Sequence, residues 1–484
     1  MAAAAGTANV LSSAEPALAA TVPWYDITDY GAIGNGSTAP ATITANDNAI
    51  QNAINAASTA GGGVVYAPTG TYAVSATFSF PTIKPIDLVG SGRYETVFKC
   101  TAAGTGFRFG PLGTGGDGAS TGMTGGFHIN GNDVAWVPMS VAKCSNRGFH
   151  NIRITKATVS GLQLEATQNA VFEGLNISDC RNGSSNAAGL VLDYGAGGNL
   201  FTGIQLINND TNLLFRNSAT SPSTFDPYNG RPTDNKFVGG IIEGTVTNHV
   251  LHGAGVDNYF IGTRFAGSTC PRIKFFHQDV GAGFKGSYDL NLIGCYFVGG
   301  GVPPTGTGIE HTCADTTVRL VNCKFDTLAT ALVLGNHSWV EVDAFYRSNV
   351  TTRFANAPGA TDSEESLVRR ENFHTQNVTR EAATSVAFRT WVGSKIDSRD
   401  TTPRYVVTAS GDTSWGPGNA ATDVTLKRSA AGILQASGKL TAVGGLGVGN
   451  SAAASTPGTV VKKIQVFDAN GTSLGYIPVY NNIT

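Results

Sequence analysis

Two segments of similar pattern each end in a carboxylate that is placed to do chemistry. Residues 161–165 read Gly-Leu-Gln-Leu-Glu and residues 189–193 read Gly-Leu-Val-Leu-Asp, so Glu165 and Asp193 end the two segments. If these segments are neighbouring parallel strands with their leucines inward, the two carboxylates lie about 5 Å apart. Such a pair raises the pKa of one carboxyl and leaves the other ionised, as acid and nucleophile require in a retaining glycosidase.

An alternative interpretation of the same residues involves no catalysis. Arg216 ends the next strand-like segment and takes the next step beside Asp193 if the register continues. Glu165, Asp193 and Arg216 then form a solvated ladder of charges, and exposed ion pairs of this kind contribute little to stability. The sequence leaves both interpretations open.

Other candidate residues fall on other predicted faces. Glu243 is an isolated acid two residues after Ile241, and Glu341 with Asp343 forms an outward pair on one strand. Aromatic rings on which a sugar could stack, although each is more often a packing or surface residue, belong to Tyr194, Tyr228, Tyr296 and Trp339. With Glu165 and Asp193, Glu243 completes the predicted catalytic set.

The sequence predicts neither a metal site nor a cofactor. A calcium-dependent lyase needs a cluster of acidic ligands, and no Asp-x-Asp occurs anywhere in the chain. His249 and His252 are three residues apart in a predicted strand, which places them on opposite faces. The 7 cysteines are scattered without a CxxC, and an odd number argues against a disulfide framework. Reduced, mostly buried thiols are expected.

Composition excludes several classes of protein. The 484 residues include 62 glycines, and 14% are charged, well below the ~25% of typical soluble domains. A net charge of -2 predicts no binding to nucleic acid or anionic membranes. No apolar run reaches the ~18 residues of a membrane span. Residues 1–20 contain no basic residue, so they make a poor signal peptide.

The middle of the chain is a repeat. An apolar residue is followed two positions later by Gly or Asn and, after three more, by another apolar residue. The Gly or Asn positions are Asn151, Gly174, Gly203, Gly239, Gly262, Gly294 and Asn322. Short strands with such corners, repeating every 23 to 36 residues, predict a β-solenoid from about residue 127 to 345. Cys295 and Cys323 each follow a corner, so they should stack inside as thiols.

The elements on either side of the repeat differ from it. Ala49, Ile50, Ala53, Ile54 and Ala57 recur at helical spacing, after a capping signal at Thr44 and before the glycines 61–63. At the other end, residues 460–467 and 473–480 predict a hairpin around an Asn-Gly turn. The C-terminal strands are too short and too poor in side-chain volume to bury themselves, which favours an oligomer.

The N-terminal segment from Asp26 to Tyr72 resembles the cap of the pectate-lyase-like right-handed β-helix superfamily. The matching residues are Asp29 to Ala32, Ala49 to Gln51, Gly61 to Gly63, Pro68, Gly70 and Tyr72. This resemblance implies that the amphipathic helix closes one end of a β-helix. Residues 468–480 resemble the ends of bacteriophage tail-fibre and tailspike proteins, which implies a trimeric spike that binds, and in some cases cleaves, host surface polysaccharide.

The catalytic motifs of the superfamily's polygalacturonases are incomplete in this chain. Arg272, Ile273 and Lys274 match one of their tripeptides, and residues 208–210 partly match another. The Asp-Asp and Gly-His-Gly motifs are absent, which argues against hydrolysis by that route.

The predicted fold class is all-β, a right-handed parallel β-helix with an N-terminal capping helix and a C-terminal β-rich trimerisation region. The predicted divisions are a virion-attachment or flexible segment (1–22), cap (23–100), β-helical body (101–346), linker (347–374) and trimerisation or receptor-binding region (375–484). The expected partners are host cell-surface polysaccharide, two further copies of the chain, and a phage tail or baseplate protein that holds the N-terminus, giving an extracellular virion protein.

Three functions follow as hypotheses: a phage adhesin that binds a host glycan, a tailspike depolymerase, and a secreted bacterial polysaccharide lyase or hydrolase. The absent secretion signal and the stalk-like C-terminus argue against the third.

Overall fold

The structure is a computed structural model that describes most of the first three-quarters of the chain and the strands beyond it. The described residues are 22–357 except 82–83, 111–117, 120–121, 184–186, 218–230, 245–247, 268–269, 277–288, 302, 314–315, 336–337 and 344, and then 368–369, 386–390, 405–408, 412–416, 421–430, 433–436, 459–467 and 473–480. The predicted virion-attachment segment therefore lies outside them, apart from its last residue.

Three long parallel sheets form the body, because each successive coil of the chain adds one strand to each sheet. Sheet A contains Trp24–Asp26, Gly63–Ala67, Ile86–Gly90, Met123–Gly125, Gly148–His150, Val171–Glu173, Leu200–Thr202, Lys236–Val238, Asn258–Ile261, Leu290–Ile293, Thr316–Val321, Ser338–Val342 and Val368–Arg369. Sheet B contains Gly70–Val74, Thr96–Cys100, His128–Asn130, Arg153–Thr155, Asn176–Ser178, Gln205–Ile207, Ile241–Gly244, Arg264–Gly267, Tyr296–Val298, Cys323–Asp326 and Phe345–Ser348. Sheet C contains Thr77–Phe80, Gly106–Phe109, Met139–Ala142, Ser160–Glu165, Ala188–Asp193, Thr211–Phe215, Asn248–His252, Ile273–Phe275, Thr307–His311, Thr330–Leu334 and Thr352–Asn356. Gly118–Ala119 and Cys144–Ser145 form a further two-stranded parallel sheet.

This architecture is the predicted right-handed parallel β-helix. Its sheets begin well before residue 127 and continue past residue 346, where the sequence predicted the body to end. Thr352–Asn356 and Val368–Arg369 are strands of sheets C and A, so part of the segment expected to be a linker is sheet.

An internal column of phenylalanines confirms the predicted register. Phe149, Phe172, Phe201, Phe237 and Phe260 pair along sheet A, and their ring centroids are 4.5 to 4.9 Å apart. All five side chains are at most 1% exposed. Each ring therefore packs on the rings of the coils before and after it, which fixes the stacking of the coils.

The recurrence of Gly and Asn at the corners has a conformational cause. The corner residues between sheets A and B, from Asn151 to Asn322, all have φ between 51° and 65°. L-residues other than Gly and Asn rarely adopt this left-handed region, so the repeat selects these two residue types. The corner turns the chain from sheet A into sheet B without an extra loop.

Helix α1, Pro40–Thr59, packs on the first strands of the sheets. The predicted apolar residues are all buried, but the expected N-cap at Thr44 is wrong. The helix begins one turn earlier, because Pro40 is suited to its first position and Ala39 provides the extended backbone before it. At the C-terminal end, Gly61 to Gly63 have positive φ and lead the chain into the first inner strand of sheet A.

Several polar side chains are buried in the body and satisfied there. Asn199 donates from Nδ2 to Oδ1 of Asn235 (2.9 Å), and Asn235 donates in the same way to Asn258 (3.0 Å). Asn258 Nδ2 lies 3.2 Å from Nε2 of His252, whose ring packs between Phe215 and Phe275. The core is therefore apolar in its columns and hydrogen-bonded at its corners.

The cysteine prediction is consistent with the structure. Cys295 and Cys323 are buried free thiols, and their Sγ atoms contact the backbone oxygens of Phe260 (3.2 Å) and Leu292 (3.3 Å). Burial raises the pKa of the Cys295 thiol well above its usual value. The neutral thiol is thus the form that the core accommodates.

Residues 373–484 form a second unit. It contains a five-stranded antiparallel sheet of Val386–Thr390, Tyr405–Thr408, Thr413–Trp415, Val424–Ala430 and Ile433–Ala436. The predicted hairpin is present as Val460–Phe467 paired with Ser473–Tyr480, and its turn lies outside the described residues. No helix in the described part of the chain is long and apolar enough to cross a membrane.

Candidate functional site

The predicted pair of carboxylates is brought together by the register of sheet C. Glu165 pairs with Asp193 in adjacent strands, and Leu162 and Leu164 pair with Leu190 and Leu192 inside, as the pattern predicted. Glu165 is exposed. Asp193, however, has 0% relative exposure. The two carboxylates are therefore neighbours in very different surroundings.

Asp193 is held by an ion pair. Its Oδ2 accepts a hydrogen bond from Nε of Arg216 at 2.7 Å, and its Oδ1 accepts one from the backbone N–H of Tyr194 at 2.9 Å. A buried carboxylate that is paired with an arginine and a backbone N–H is poorly placed to attack a substrate. In this geometry Glu165 is the carboxylate of the pair that solvent and a glycan can reach.

Glu243 lies on a different surface. Its strand belongs to sheet B, where it pairs with Ile207 and Ala266. The carboxylate is partly exposed and lies 3.8 Å from a guanidinium nitrogen of Arg264. The structure thus does not bring Glu243 together with Glu165 and Asp193, and any chemistry at Glu243 would be separate from theirs.

The tripeptide that matched polygalacturonases has a structural role here. Arg272 is fully buried, and its guanidinium donates to the backbone oxygens of Val298 (3.0 Å), Cys270 (2.5 Å) and Gly267 (2.6 Å). Its donors are thus directed at the protein's own backbone. In the second partial match, Asp210 accepts hydrogen bonds from the N–H groups of Asn182 and Gly183.

The outward pair near the end of the body is also engaged. Glu341 accepts a hydrogen bond from Nε of Arg319 at 2.8 Å, and Arg319 also lies 3.9 Å from Asp289. Asp343 is exposed. Tyr228 and the side chain of Trp339 lie outside the described residues.

A column of charged and aromatic residues covers the outer surface of sheet B. Arg264, Tyr296, Lys324 and Tyr346 pair in register on successive strands, and we call them the outer column of sheet B. Tyr346 is 59% exposed. Of these four residues, the sequence indicated only Tyr296. The alternation of inward and outward residues along each strand could have identified all four, because each is next to an inward position of the repeat.

Contacts within the outer column fix its geometry. The hydroxyl of Tyr296 donates to Oδ2 of Asp326 at 2.8 Å, and Lys324 lies 3.4 Å from the same carboxylate. Nζ of Lys324 lies 4.8 Å from the centre of the Tyr296 ring. The hydrogen bond from Tyr296 lowers the pKa of Asp326, while partial burial and this bond raise the pKa of Tyr296. At neutral pH the surface presents an anion, a cation and two phenol rings.

Nothing in the described part of the chain identifies a metal centre. No group of three or more His, Cys, Asp or Glu side chains converges among the described residues.

Comparison with known sequences identifies a family for part of the chain. Residues 24–224 match the family model described as rhamnogalacturonase A/epimerase, pectate lyase-like. Over 80 residues the chain is 42% identical to mannuronan C5-epimerase AlgE1 and 44% identical to alginate lyase 7, both of Azotobacter vinelandii. That segment is 16% of this chain but 5% and 9% of the two relatives. The matched segment thus spans less than a tenth of their length.

Solved structures with a related fold come from several sources. ORF18 of Geobacillus virus E2 matches with 20% identity and a TM-score of 0.44, over 69% of this chain and 61% of that chain. The A-module of Azotobacter vinelandii mannuronan C-5 epimerase AlgE4 matches with 15% identity and a TM-score of 0.48, over 72% and 100%. PfbA, a surface adhesin of Streptococcus pneumoniae, matches with 12% identity and a TM-score of 0.49, over 69% and 94%.

Proposed function

We propose that the chain, whose residues 24–224 match a pectate-lyase-like family model, is a phage tail spike or fibre that binds a host cell-surface polysaccharide during adsorption. The N-terminus would be held by a tail or baseplate protein, and three copies would form the spike.

The outer column of sheet B is the observation that carries glycan binding. Tyr296 and Tyr346 lie two strands apart with Lys324 between them, so their rings are separated by roughly 9.6 Å along the body. This separation is comparable to the length of a disaccharide in an extended glycan. Phenol rings stack on the apolar faces of sugars, while Lys324 and Asp326 offer a donor and an acceptor to hydroxyl groups. The relatives named as a mannuronan epimerase and an alginate lyase act on polysaccharides, which supports this ligand class.

The spike assignment is supported by the C-terminal unit. Its last strands resemble those of phage tail proteins, and their hairpin exposes Ile464 (57%), Leu474 (67%), Tyr476 (61%) and Ile477 (54%). Apolar surface of this kind is commonly an interface. Closed rotational symmetry would bury it in a core shared by three chains.

Replacing Tyr346 with Ala should weaken polysaccharide binding by several-fold, up to about tenfold, because a stacking surface is lost. The measurement is binding of the full-length protein to envelope polysaccharides extracted from a panel of bacteria. Tyr94→Ala is the matched control, since Tyr94 is 62% exposed but lies far from the outer column. Equal binding by both variants would argue against this surface, and no binding by the unaltered protein to any extract would argue against glycan recognition.

Cleavage of the bound polysaccharide is a second candidate function, and the exposure of Glu165 beside the buried Asp193–Arg216 pair favours it. Glu165 would act as general acid or base, and Asp193 would help to set the local field. Glu165 and Asp193, with Glu243 as a third candidate, therefore remain the proposed catalytic residues.

If the protein cleaves a polysaccharide, Glu165→Gln should lower the rate by roughly 10²–10⁴, since proton transfer is lost while the shape is kept. New reducing ends and unsaturated uronates, measured after incubation, distinguish hydrolase from lyase chemistry. Glu243→Gln is the comparison variant on sheet B. Undiminished cleavage by Glu165→Gln would exclude this assignment and transfer attention to Glu243 or to Glu341 and Asp343. A monomer that cleaves polysaccharide without any role in adsorption would favour the alternative of a secreted bacterial enzyme.

A further inference from the structure

Arg347 departs from the apolar pattern of sheet B in the terminal strand of that sheet, Phe345–Ser348. The inward positions of the preceding coils are Phe265, Phe297 and Phe325, whose rings stack at 4.8 and 4.6 Å. Arg347 pairs with Phe325 in the register, so the pattern of the preceding coils predicts an apolar residue at this position. Arg347 is exposed. A residue that breaks a regular pattern in this way is a candidate for function.

Arg347 also differs from the neighbouring cations in having no counter-ion in the part of the chain that the structure describes. Arg264 lies against Glu243, Arg319 against Glu341, and Lys274 lies 3.3 Å from Glu310. Within the described residues Arg347 makes neither an ion pair nor a side-chain hydrogen bond. Among the described residues, no acidic side chain neutralises its charge.

A cleft of about 470 Å³ lies at this guanidinium. Its walls are the corners between sheets B and C of two successive coils, which contribute Thr327 and Asn349 to Thr351, and a longer loop of the coil before, which contributes Gly301 and Pro304. Thr327 and Asn349 have φ of 54° and 50°, so both corners turn sharply and leave room beside them. The volume is within the ~300–1,000 Å³ of sites for small ligands.

We propose that this cleft is a separate subsite that binds an anionic group carried by a sugar, a carboxylate or a phosphate ester. A guanidinium forms two parallel charge-assisted hydrogen bonds to such an oxyanion. Threonine hydroxyls and the Asn349 amide offer partners to sugar hydroxyls, and Pro304 and Val350 offer apolar contact to the ring. The inference rests on the proposed function, because Tyr346 of the outer column directly precedes Arg347 and one polysaccharide could contact both.

The probes are oligogalacturonate, its fully methyl-esterified form, which keeps the chain but removes the charge, and glucose 6-phosphate. Titration calorimetry with the full-length protein at low salt gives the affinities. Arg347→Gln should weaken binding of the anionic probe by roughly ten- to a hundredfold and leave the methyl ester unaffected. Arg347→Lys should retain part of the affinity. Comparison of oligogalacturonate with glucose 6-phosphate tells which oxyanion the cleft prefers.

Arg319→Gln is the control, since Arg319 is an exposed arginine outside the outer column that Glu341 already neutralises. The unfolding temperatures of the Arg347 variants should equal that of the unaltered protein within error, because Arg347 has no partner within the described residues. Equal affinity of Arg347→Gln and the unaltered protein for the anionic probe would overturn the inference, as would an equal loss in Arg319→Gln. If Arg347→Gln also keeps full binding to an extracted polysaccharide that Tyr346→Ala loses, only the anion subsite is wrong. Failure of the unaltered protein to bind any extract would instead contradict the proposed function.

Discussion

Acidification from pH 7 to about pH 4 should unfold the β-helical body, and buried histidines are the cause. Burial lowers the pKa of His249 and His252 to about 3 each, with the charge of Arg272 acting in the same direction on His249. Burial, followed by the charge of Arg153, lowers the pKa of His128 to about 4. Each ring is therefore neutral in the folded protein at pH values where the unfolded chain is already protonated.

The direction of the effect follows from proton linkage. A depressed folded-state pKa contributes stability above the unfolded pKa of 6.5, and this stability is lost as the pH falls toward the folded pKa. Each histidine contributes about 1.4 kcal/mol per pH unit in that window, so three together contribute roughly 4 kcal/mol per pH unit. The free energy of unfolding of a domain is about 5–15 kcal/mol. The part of it that is lost between pH 6 and 4 is therefore comparable to the total.

Guanidinium chloride unfolding at several pH values, followed by far-ultraviolet circular dichroism, measures this slope. His252→Phe should remove about a third of it, since Phe fits the column between Phe215 and Phe275 and has no titration. The loss of the contact between His252 and Asn258 lowers the stability equally at all pH values, so it does not alter the slope. Stability that stays constant from pH 7 to 5, or an unchanged slope in His252→Phe, would contradict the prediction.

Removal of residues 375–484 should give monomers that bind host cells roughly 10²–10⁴-fold more weakly than the full-length protein. The expected cause is the loss of three linked glycan sites, with each individual site intact. The two units defined by contacts divide at residue 373, so this deletion leaves the coiled body complete. Light scattering gives the oligomeric state, and adsorption to cells gives the binding.

A sharper variant changes two residues instead of a domain. Ile464 and Ile477 are cross-strand neighbours in the hairpin and more than half exposed. Lysine at both positions should dissociate the trimer, because charges would be buried in the shared core. Lys463→Glu, one position away, is the control and should remain trimeric. An intact monomer of the full-length protein at micromolar concentration would refute the trimer.

The fold of the β-helical body could be predicted from the sequence, because each stacked coil needs the same types of residue at equivalent positions. Phe172 and Phe201 had to be inward and in register, and Gly203 had to occupy a left-handed corner, so both periodicities were visible in the chain. The hairpin Val460–Phe467 with Ser473–Tyr480 was also predictable, since its strands flank an Asn-Gly pair. Local pattern and tertiary structure agree at these positions.

The candidate site was less predictable, because a residue at an outward position of a strand can still be buried by its neighbours. Asp193 occupies the same strand position as the exposed Glu165, yet it is fully buried and paired with Arg216. Arg272 belongs to a motif by sequence, but its donors reach backbone oxygens of its own coil and of the next one, a set of contacts that only the fold creates. Arg347 was not predicted because its meaning depends on the cleft beside it and on the absence of a counter-ion within the described residues.

The unequal length of the coils has an evolutionary consequence. Successive corners are 23 to 36 residues apart, yet the strands on either side remain in register. Residues 299–306 bridge sheets B and C in one coil, whereas residues 327–329 are enough in the next. Insertions and deletions at these corners therefore leave the stacked interior unchanged. Diverging sequences can therefore change the outer surface one loop at a time without any compensating change in the core.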